Sequence, residues 1–147
     1  MTTTTAARDA IASLIRTAWI APGSATENVL LLWDNVVAPK PAEDEFGKAL
    51  PWGRVTVRHA TGEQETLAPI GSRRYLSGGI VTVQVFTPFG DGHGLGDQIV
   101  AVIKAAFRAA PVTHAVWFNN ASITEIGVDG PWFNTNLDAT FRYQEVA

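Results

Sequence analysis

The sequence contains no cysteine, and this absence removes several classes of chemistry at once. Without thiols the chain forms no disulfide bond, no thiolate nucleophile and no cysteine-ligated zinc site. Charged residues are also sparse, at 17% of the chain, and the basic ones are scattered rather than clustered. A protein that binds nucleic acid needs a basic face that displaces counterions from the phosphates. We therefore expect a fold that depends on packing alone and has no specific affinity for DNA.

Long apolar runs are missing as well. The longest strongly apolar run near the N-terminus is Val29 to Trp33, far short of a membrane span, and the opening MTTTT lacks the basic flank and apolar core of a signal peptide. Hydrophobic residues nevertheless make up 46% of the 147 residues, which is typical of a globular chain rather than a disordered one. We expect a soluble, unsecreted protein whose residues 1–147 form one domain.

The residues that commonly carry catalysis occur without the spacing that catalysis requires. His59, His93 and His114 form no i, i+4 pair of the kind that binds zinc on a helix. No serine lies in a G-x-S-x-G elbow, and the acidic run at residues 43–45 lies in a proline-rich segment that is typical of a solvated loop. The sequence predicts no catalytic residue, no metal and no cofactor, so we do not expect an enzyme.

A glycine-rich stretch, TPFGDGHGLGDQIV at residues 87–100, is the best candidate for a ligand loop. Its glycines Gly90, Gly92, Gly94 and Gly96 are spaced by two, which does not fit the G-x-G-x-x-G dinucleotide fingerprint. The loop also lacks the Gly-Lys-Ser/Thr of a P-loop and the alternating oxygen ligands of an EF-hand. We interpret it as a flexible connection into a helix.

Hydrophobic periodicity divides the rest of the chain into helices and strands. Apolar residues three and four apart indicate a helix, alternation indicates a strand with one buried face, and Pro or Gly marks the ends. These patterns predict helices at Ala6–Ile20 and Leu95–Ala110, strands at Asn28–Asp34, Ile80–Thr87, His114–Phe118, Ser122–Val128 and Phe133–Tyr143, a hairpin from Arg54–His59 to Gln64–Leu67, and a long loop at Val36–Pro51.

The order of these elements favours an α+β fold. Strands cluster instead of alternating with helices, which is typical of a largely antiparallel or mixed sheet with two helices packed on one face. The apolar run Asn28–Asp34 predicts a strand covered on both faces, at the centre of the sheet. Residues 133–143 alternate most clearly, with Phe133, Leu137 and Phe141 among those on the buried face.

Five tryptophans are many for this length. Trp19, Trp33 and Trp117 lie in apolar runs, where packing in the core explains them. Trp52 and Trp132 follow prolines at segment boundaries and are better candidates for an interface or for a platform that stacks against sugars. An arginine pair beside an aromatic residue, at residues 73–75, is typical of protein contacts, although a solvated pair explains it equally well.

Several of these segments together carry a resemblance. They are RRYLSGGIVTVQVFTPFGDGHGLGDQ, the amphipathic helix that follows it to near Phe107, and the closing GVDGPWFNTNLDATFRYQE. With their arginine pair, Gly-Gly before a V-x-V-Q-V-F strand, P-x-G loop and D-G-x-W-F turn, they resemble the tail terminator-like proteins of long-tailed bacteriophages. The likeness runs from the first helix to Glu145, while the acidic segment 38–51 and the extra glycines around His93 depart from the pattern.

The resemblance implies a structural virion protein rather than a catalyst. It implies a homo-oligomeric ring, usually a hexamer, assembled in the host cytoplasm on the head-proximal end of the tail tube. Its partners would be the tube protein and a head-completion or stopper protein, and DNA would pass through the lumen without specific binding. Neighbouring copies in a ring meet through two different surfaces. The expected interface residues are Trp52, Arg73, Arg74, Tyr75, Trp132, Glu43, Asp44 and Glu45, and the loop from Ala38 to Leu50 is expected to contact a neighbouring copy or the tube.

Two other functions stay open at this point. The protein could be a head-completion or stopper protein of the phage neck, which shares the ring arrangement. It could also bind a small ligand, either a phosphate compound at Gly90–Gly96 or a glycan at Trp52 and Trp132.

Overall fold

A computed structural model describes residues 2–36, 43–111 and 115–147. Over these residues the chain forms an open five-stranded sheet with two helices, an α+β fold as the sequence predicts. The elements are α1 (Thr4–Trp19), β1 (Leu30–Trp33), β2 (Trp52–Gln64), β3 (Arg74–Pro88), α2 (Gly94–Ala109), β4 (Trp117–Asp129) and β5 (Trp132–Val146). His114 and residues 37–42 of the predicted long loop lie outside the described residues.

The sheet has the strand order β1-β2-β3-β5-β4. β1 pairs in parallel with β2, and the other three pairings are antiparallel. The turn of the D-G-x-W-F motif, at Asp129-Gly130-Pro131, joins β4 to β5, and Gly130 adopts φ +58° there, a conformation that glycine tolerates best. The mixed sheet therefore has two edges, β1 and β4.

Both helices pack on the same face of the sheet. The apolar stripes of α1 and α2 are buried against alternate residues of β2, β3 and β5, so one layer of side chains forms the core. The largest fully buried side chains of this core are Trp19, Tyr143, Phe141, Ile11, Ile15, Ile99, Ile103 and Leu137. The alternation predicted for β3 and β5 is confirmed by this burial. Within the described residues, neither helix is long and apolar enough to cross a membrane.

The hairpin predicted at Thr61-Gly62 is wrong. β2 runs through this dipeptide as one strand to Gln64, and a β-bulge between His59 and Thr61 absorbs the irregularity. The bulge lies opposite Gly78 and Gly79, where the strands approach so closely that a Cβ on Gly79 would overlap the Arg58 carbonyl. A glycine in a strand here marks close approach of the backbones rather than a turn.

The predicted central position of β1 is also wrong, because β1 is a four-residue edge strand. Its run of apolar residues has another cause. Leu31 and Trp33 pack against the core beneath α1, while Leu32 is 9% exposed on the other side. An edge strand that is covered on both faces has the same hydrophobic pattern as a central one.

The two strands predicted on either side of Asn119-Asn120 form the single strand β4. Register shifts between Asn119 and Ser122 and between Glu125 and Gly127 interrupt the strand without ending it, and Asn120 adopts φ +54° in the first of them. Two strands therefore follow α2, not three. Trp117, expected in the core, is 41% exposed at the start of this edge strand.

Candidate interaction surfaces

Trp52 and Trp132, 80 residues apart in sequence, meet on the sheet face opposite the helices. Trp52 stacks on Phe86 with ring centroids 4.1 Å apart and an interplanar angle of 10°, and Trp132 meets Trp52 edge-on at 6.0 Å. The Arg54 guanidinium lies 6.0 Å from the Trp52 ring and is held by the Gln84 amide oxygen at 2.8 Å. We call Trp52, Phe86 and Trp132 the aromatic cluster.

Hydrogen-bonding groups without partners surround the aromatic cluster. The indole N–H groups of Trp52 and Trp132 and the side-chain oxygens of Asn134 and Asn136 are buried and have no hydrogen-bond partner among the described residues. Unpaired buried polar groups of this kind each cost about 1–3 kcal/mol. Since Phe86 covers one face of Trp52 and Trp132 lies against it, the ring is not a free platform for a sugar, and the geometry does not favour the glycan alternative.

The predicted arginine pair lies at the opposite end of the sheet. Gln64 pairs with Tyr75 twelve residues along β2 from Trp52, which corresponds to about 40 Å of strand. Arg74 and Tyr75 open β3, six residues before the predicted start of that strand. The predicted interface residues therefore do not form one site but lie at two ends of the molecule.

Arg73 stabilises the β2–β3 loop, which we define as residues 65–73. Its backbone pairs with Ala147 through hydrogen bonds of 3.1 and 2.9 Å, and its side-chain Nε donates to the Ala68 carbonyl at 2.8 Å. Thr66 closes the loop by accepting from the Arg74 amide at 3.0 Å. The loop is thus ordered by its own hydrogen bonds, and Arg73 has a structural role there.

This ordered loop presents two aliphatic side chains to solvent. Leu67 is 97% exposed and Ile70 is 86% exposed. Large apolar side chains in water contribute no hydrophobic stabilisation to the fold. Two of them exposed on one loop mark an interaction site more often than a single one does. We call Leu67 and Ile70 the knob.

The acidic residues Glu43, Asp44 and Glu45 lie near the end of the sheet that carries the aromatic cluster. The Asp44 carboxylate accepts from the backbone amides of Phe46 and Lys48, at 2.9 and 2.8 Å, and so shapes a tight turn. Lys48 in turn lies 3.6 Å from Asp91 in the glycine-rich loop, and this exposed pair contributes little to stability. Asp44 is therefore committed to the turn, while Glu45 is exposed.

The glycine-rich loop has the geometry of a connection. Gly90 and Gly92 adopt φ +98° and +78°, and α2 begins at Gly94, one residue before the predicted start. His93 packs edge-on against Phe133 at 5.0 Å. Among the residues that the structure describes, no group of three His, Cys, Asp or Glu side chains is arranged to hold a metal ion.

Three exposed apolar side chains lie close together in sequence on β4, where no site was predicted. Ile123, Ile126 and Val128 are 47%, 58% and 61% exposed. Ile123 pairs with Leu137 and Val128 with Phe133, so both lie on the face of the sheet that carries the helices. We call these three residues the β4 shelf. Ile123 and Ile126 are three residues apart, which breaks the alternation of a regular strand. This break was a signal in the sequence for a β-bulge in β4.

A groove lies between the C-terminal part of α2 and the first residues of β4. Phe107, Arg108 and the bulged segment of β4 at residues 118–121 line a surface cavity of about 350 Å³. The outer side of α2 has a shallow depression where the side chains are small. It is lined by Ala101, Ala105 and Ala109, with Lys104 and Arg108 beside them. The exposed Glu125 lies between Ile123 and Ile126, so the shelf carries an acidic group among its apolar ones.

His59 lies on the helix face of the sheet, beside α1, and neither ring nitrogen has a hydrogen-bond partner among the residues that the structure describes. Its ring packs edge-on against Phe141 at 5.2 Å and Tyr143 at 5.7 Å. Burial lowers the pKa of His59, the nearby Arg8 guanidinium lowers it further, and the Glu145 carboxylate acts in the opposite direction. Burial and the aromatic contacts of the ring therefore favour the uncharged form of His59.

Neither a protein-family model nor a curated protein matches this chain. Solved structures do match it, and in one of them the superposition covers 92% of this chain and 97% of that chain, with 20% sequence identity and a TM-score of 0.57. That protein's name states no activity, ligand or partner. At this identity the likeness shows a shared fold alone.

Proposed function

We propose that the protein is a structural subunit of a phage tail. Copies of it, six in a closed ring, assemble on the head-proximal end of the tail tube. There the ring ends tube polymerisation and provides the surface to which a head-completion or stopper protein joins. The protein is made in the host cytoplasm, becomes part of the virion and performs no catalysis.

One observation carries this proposal beyond the sequence resemblance: a single small subunit exposes two separate apolar surfaces, the knob and the β4 shelf. A closed ring with one contact type requires two different surfaces on every copy, since each copy meets one neighbour on either side. Apolar side chains that are exposed together mark interaction sites more often than scattered ones do, which supports a role for both surfaces in contacts.

The charge of the subunit agrees with a ring that surrounds DNA. The formal net charge is −3, and its acidic groups include the exposed Glu45 and Asp129. Such a surface repels the phosphate backbone instead of binding it, so DNA can pass through without being retained.

The test is to add the purified protein to growing tail tubes and to image the tubes by negative stain. The proposal expects extra density at one end of each tube and an end to further growth from that end. Protein unfolded by heat and returned to the same buffer serves as the control. Tubes that keep growing at both ends, with no density at either, would contradict the proposal.

The same experiment separates the terminator from the stopper alternative. If the protein is instead a stopper, we expect it to leave naked tubes unchanged. It would bind only after another neck protein had capped the tube.

A further inference from the structure

We infer that the acidic turn of one copy docks in the basic groove of the next copy around the ring. The acidic turn is residues 43–49. The basic groove is the cavity between the end of α2 and the start of β4, together with the three cations around it, Lys104, Arg108 and Arg142. This inference rests on the proposed ring assembly, and the occupant of the groove is a second copy of this chain.

The basic groove reverses the charge of the rest of the subunit. Two of its cations lie on α2 and the third, Arg142, lies on β5, and Arg108 lines each of three adjoining cavities. Among the described residues no carboxylate lines these cavities, and residues 98–124 contain no Asp or Glu. The chain as a whole has a net charge of −3. The negative end of the α2 dipole accounts for a cation on that helix but not for Arg142.

The charge of the groove is not neutralised within its own copy. Arg142 donates to the Asn119 amide oxygen at 3.1 Å, and that acceptor is neutral. The ion pairs of the described residues lie elsewhere, at the β1 edge and at the glycine-rich loop. The floor of the groove is apolar, since the rings of Phe107 and Phe118 pack with centroids 4.8 Å apart. The groove therefore suits a segment that carries a carboxylate beside an aromatic ring.

The acidic turn has this combination. Residues 43–45 are the one run of three acidic residues in the sequence, and Glu45 is exposed. Phe46 follows directly and is 86% exposed, more than any other aromatic side chain among the described residues. The one basic group of the turn, Lys48, lies 3.6 Å from the Asp91 carboxylate, so the turn stays acidic.

The acidic turn is ordered before it docks. The Asp44 amide donates to the Lys48 carbonyl at 2.9 Å, and the Gly47 amide donates to the Asp44 carbonyl at 3.0 Å. These hydrogen bonds close the turn and place Glu45 and Phe46 at its tip. A segment that is fixed before binding loses little conformational entropy when it docks.

One copy holds the turn and the groove apart, at opposite ends of α2. Lys48 of the turn contacts Asp91 just before the helix begins, whereas Arg108 lies in its last turn. From Gly94 to Arg108 the helix rises about 21 Å. A ring contact requires two different surfaces on each copy, and the turn and the groove are such a pair. Opposite charge favours their meeting over contacts between two turns or two grooves.

The experiment exchanges the charges of this contact. The groove variant is Arg108→Glu, the turn variant is Glu45→Arg, and a third chain carries both changes. Asp9→Arg, at an exposed position on α1 outside both surfaces, changes the net charge as Glu45→Arg does and is the matched control. Thermal unfolding first establishes that each variant folds as the wild-type chain does. Light scattering then gives the concentration at which half of the chains are assembled.

Each single reversal brings like charges together, so we expect this concentration to rise at least about tenfold. The chain with both changes has the same pair with its signs exchanged, and it should assemble within about threefold of the wild type. The control should assemble as the wild type does. Phe46→Ser should also raise the concentration, because it removes the ring that meets the apolar floor of the groove.

The inference is overturned if the chain with both changes assembles no better than the single variants, because the two charges then do not meet. A single reversal that assembles as the wild type does, or a wild-type chain that stays at 15.8 kDa, also overturns it. Tube binding is scored separately on the same samples. Wild-type rings that ignore tubes contradict the proposed function but not the docking. Tube capping that neither reversal weakens contradicts the docking alone.

Discussion

The two edges of the sheet differ in how they meet solvent. β1 has four residues, and its apolar side chains are covered by the chain itself, with the Arg16 guanidinium 5.2 Å from the Trp33 ring and Arg58 paired with Asp34. β4 has thirteen residues and exposes Trp117 and the three residues of the β4 shelf. Proteins normally shorten, charge or cover an edge to prevent unwanted pairing.

This difference indicates that the apolar side chains of β1 are covered within the monomer, whereas those of β4 are not. β1 is closed by contacts within one chain, so changes there should reduce folding stability. β4 leaves apolar side chains exposed, so changes there should affect association more than folding. Four predictions test this contrast, in order of decreasing effect on the free energy of unfolding.

Trp19→Ala should have the largest effect. Trp19 is 2% exposed, donates its indole N–H to the Val29 carbonyl at 2.7 Å and lies against Gly53, so it joins α1 to the β1 edge. Loss of a buried tryptophan costs about 3–5 kcal/mol. Urea denaturation measures the change, with Trp117→Ala on the open edge as the control, which should cost under about 1 kcal/mol. Equal losses in the two variants would refute the contrast between the edges.

Thr26→Val should cost about 1–2 kcal/mol, because it leaves a buried carbonyl without its donor. The Thr26 side chain is fully buried and its hydroxyl donates to the Trp19 carbonyl at 2.7 Å, in the segment that leads into β1. Thr124→Val on β4 is the matched control, since the Thr124 side chain is exposed. The unfolding midpoint in urea should fall for Thr26→Val alone, and an equal fall for Thr124→Val would count against the account.

His59 should make the free energy of unfolding depend on pH in the mildly acidic range. Its pKa in the folded chain is below the ordinary 6.5, so the unfolded chain takes up a proton first as the pH falls. Stability contributed by neutral His59 is complete above pH 6.5 and decreases as the pH falls through 6.5 towards the folded pKa. The free energy of unfolding between pH 7 and 5.5 should therefore decline less in His59→Gln. Identical slopes in the wild type and in His59→Gln would exclude His59 as the cause.

Ile126→Asp should change the stability of the monomer least, by under about 0.5 kcal/mol, because the side chain is 58% exposed at a bulge. Denaturation at low protein concentration isolates the monomer from any assembly. The same change should weaken association strongly. A loss of more than about 2 kcal/mol would mean that Ile126 packs within its own chain.

Most of the fold could be predicted from local patterns. The stripe of α1, the alternation of Val81, Val83 and Val85, and the turn at Gly130 all follow from periodicity and turn chemistry, and the structure confirms them. The bulges could not be predicted. At Thr61-Gly62 and at Asn119-Asn120 the residues are those of a turn, and only the partner strand decides whether the chain reverses or continues.

The candidate surfaces were predicted less completely. The meeting of Trp52 and Trp132 depends on pairing through Phe86, a contact that sequence spacing does not show. Arg73 was predicted at an interface, but the structure gives it a role inside the β2–β3 loop, and whether it also contacts a neighbour stays a prediction. The β4 shelf was missed because exposure depends on where α2 ends over the sheet, which is a tertiary property.

The most direct test of the account is the mass of the wild-type protein in solution, measured by light scattering over a range of concentrations with and without tail tubes. If the β4 edge is completed by a second copy, the mass should rise from 15.8 kDa to a discrete closed assembly, about six times larger, and then stop rising. A mass of 15.8 kDa at every concentration, with tubes present or absent, would contradict the claim that this edge is a contact between copies.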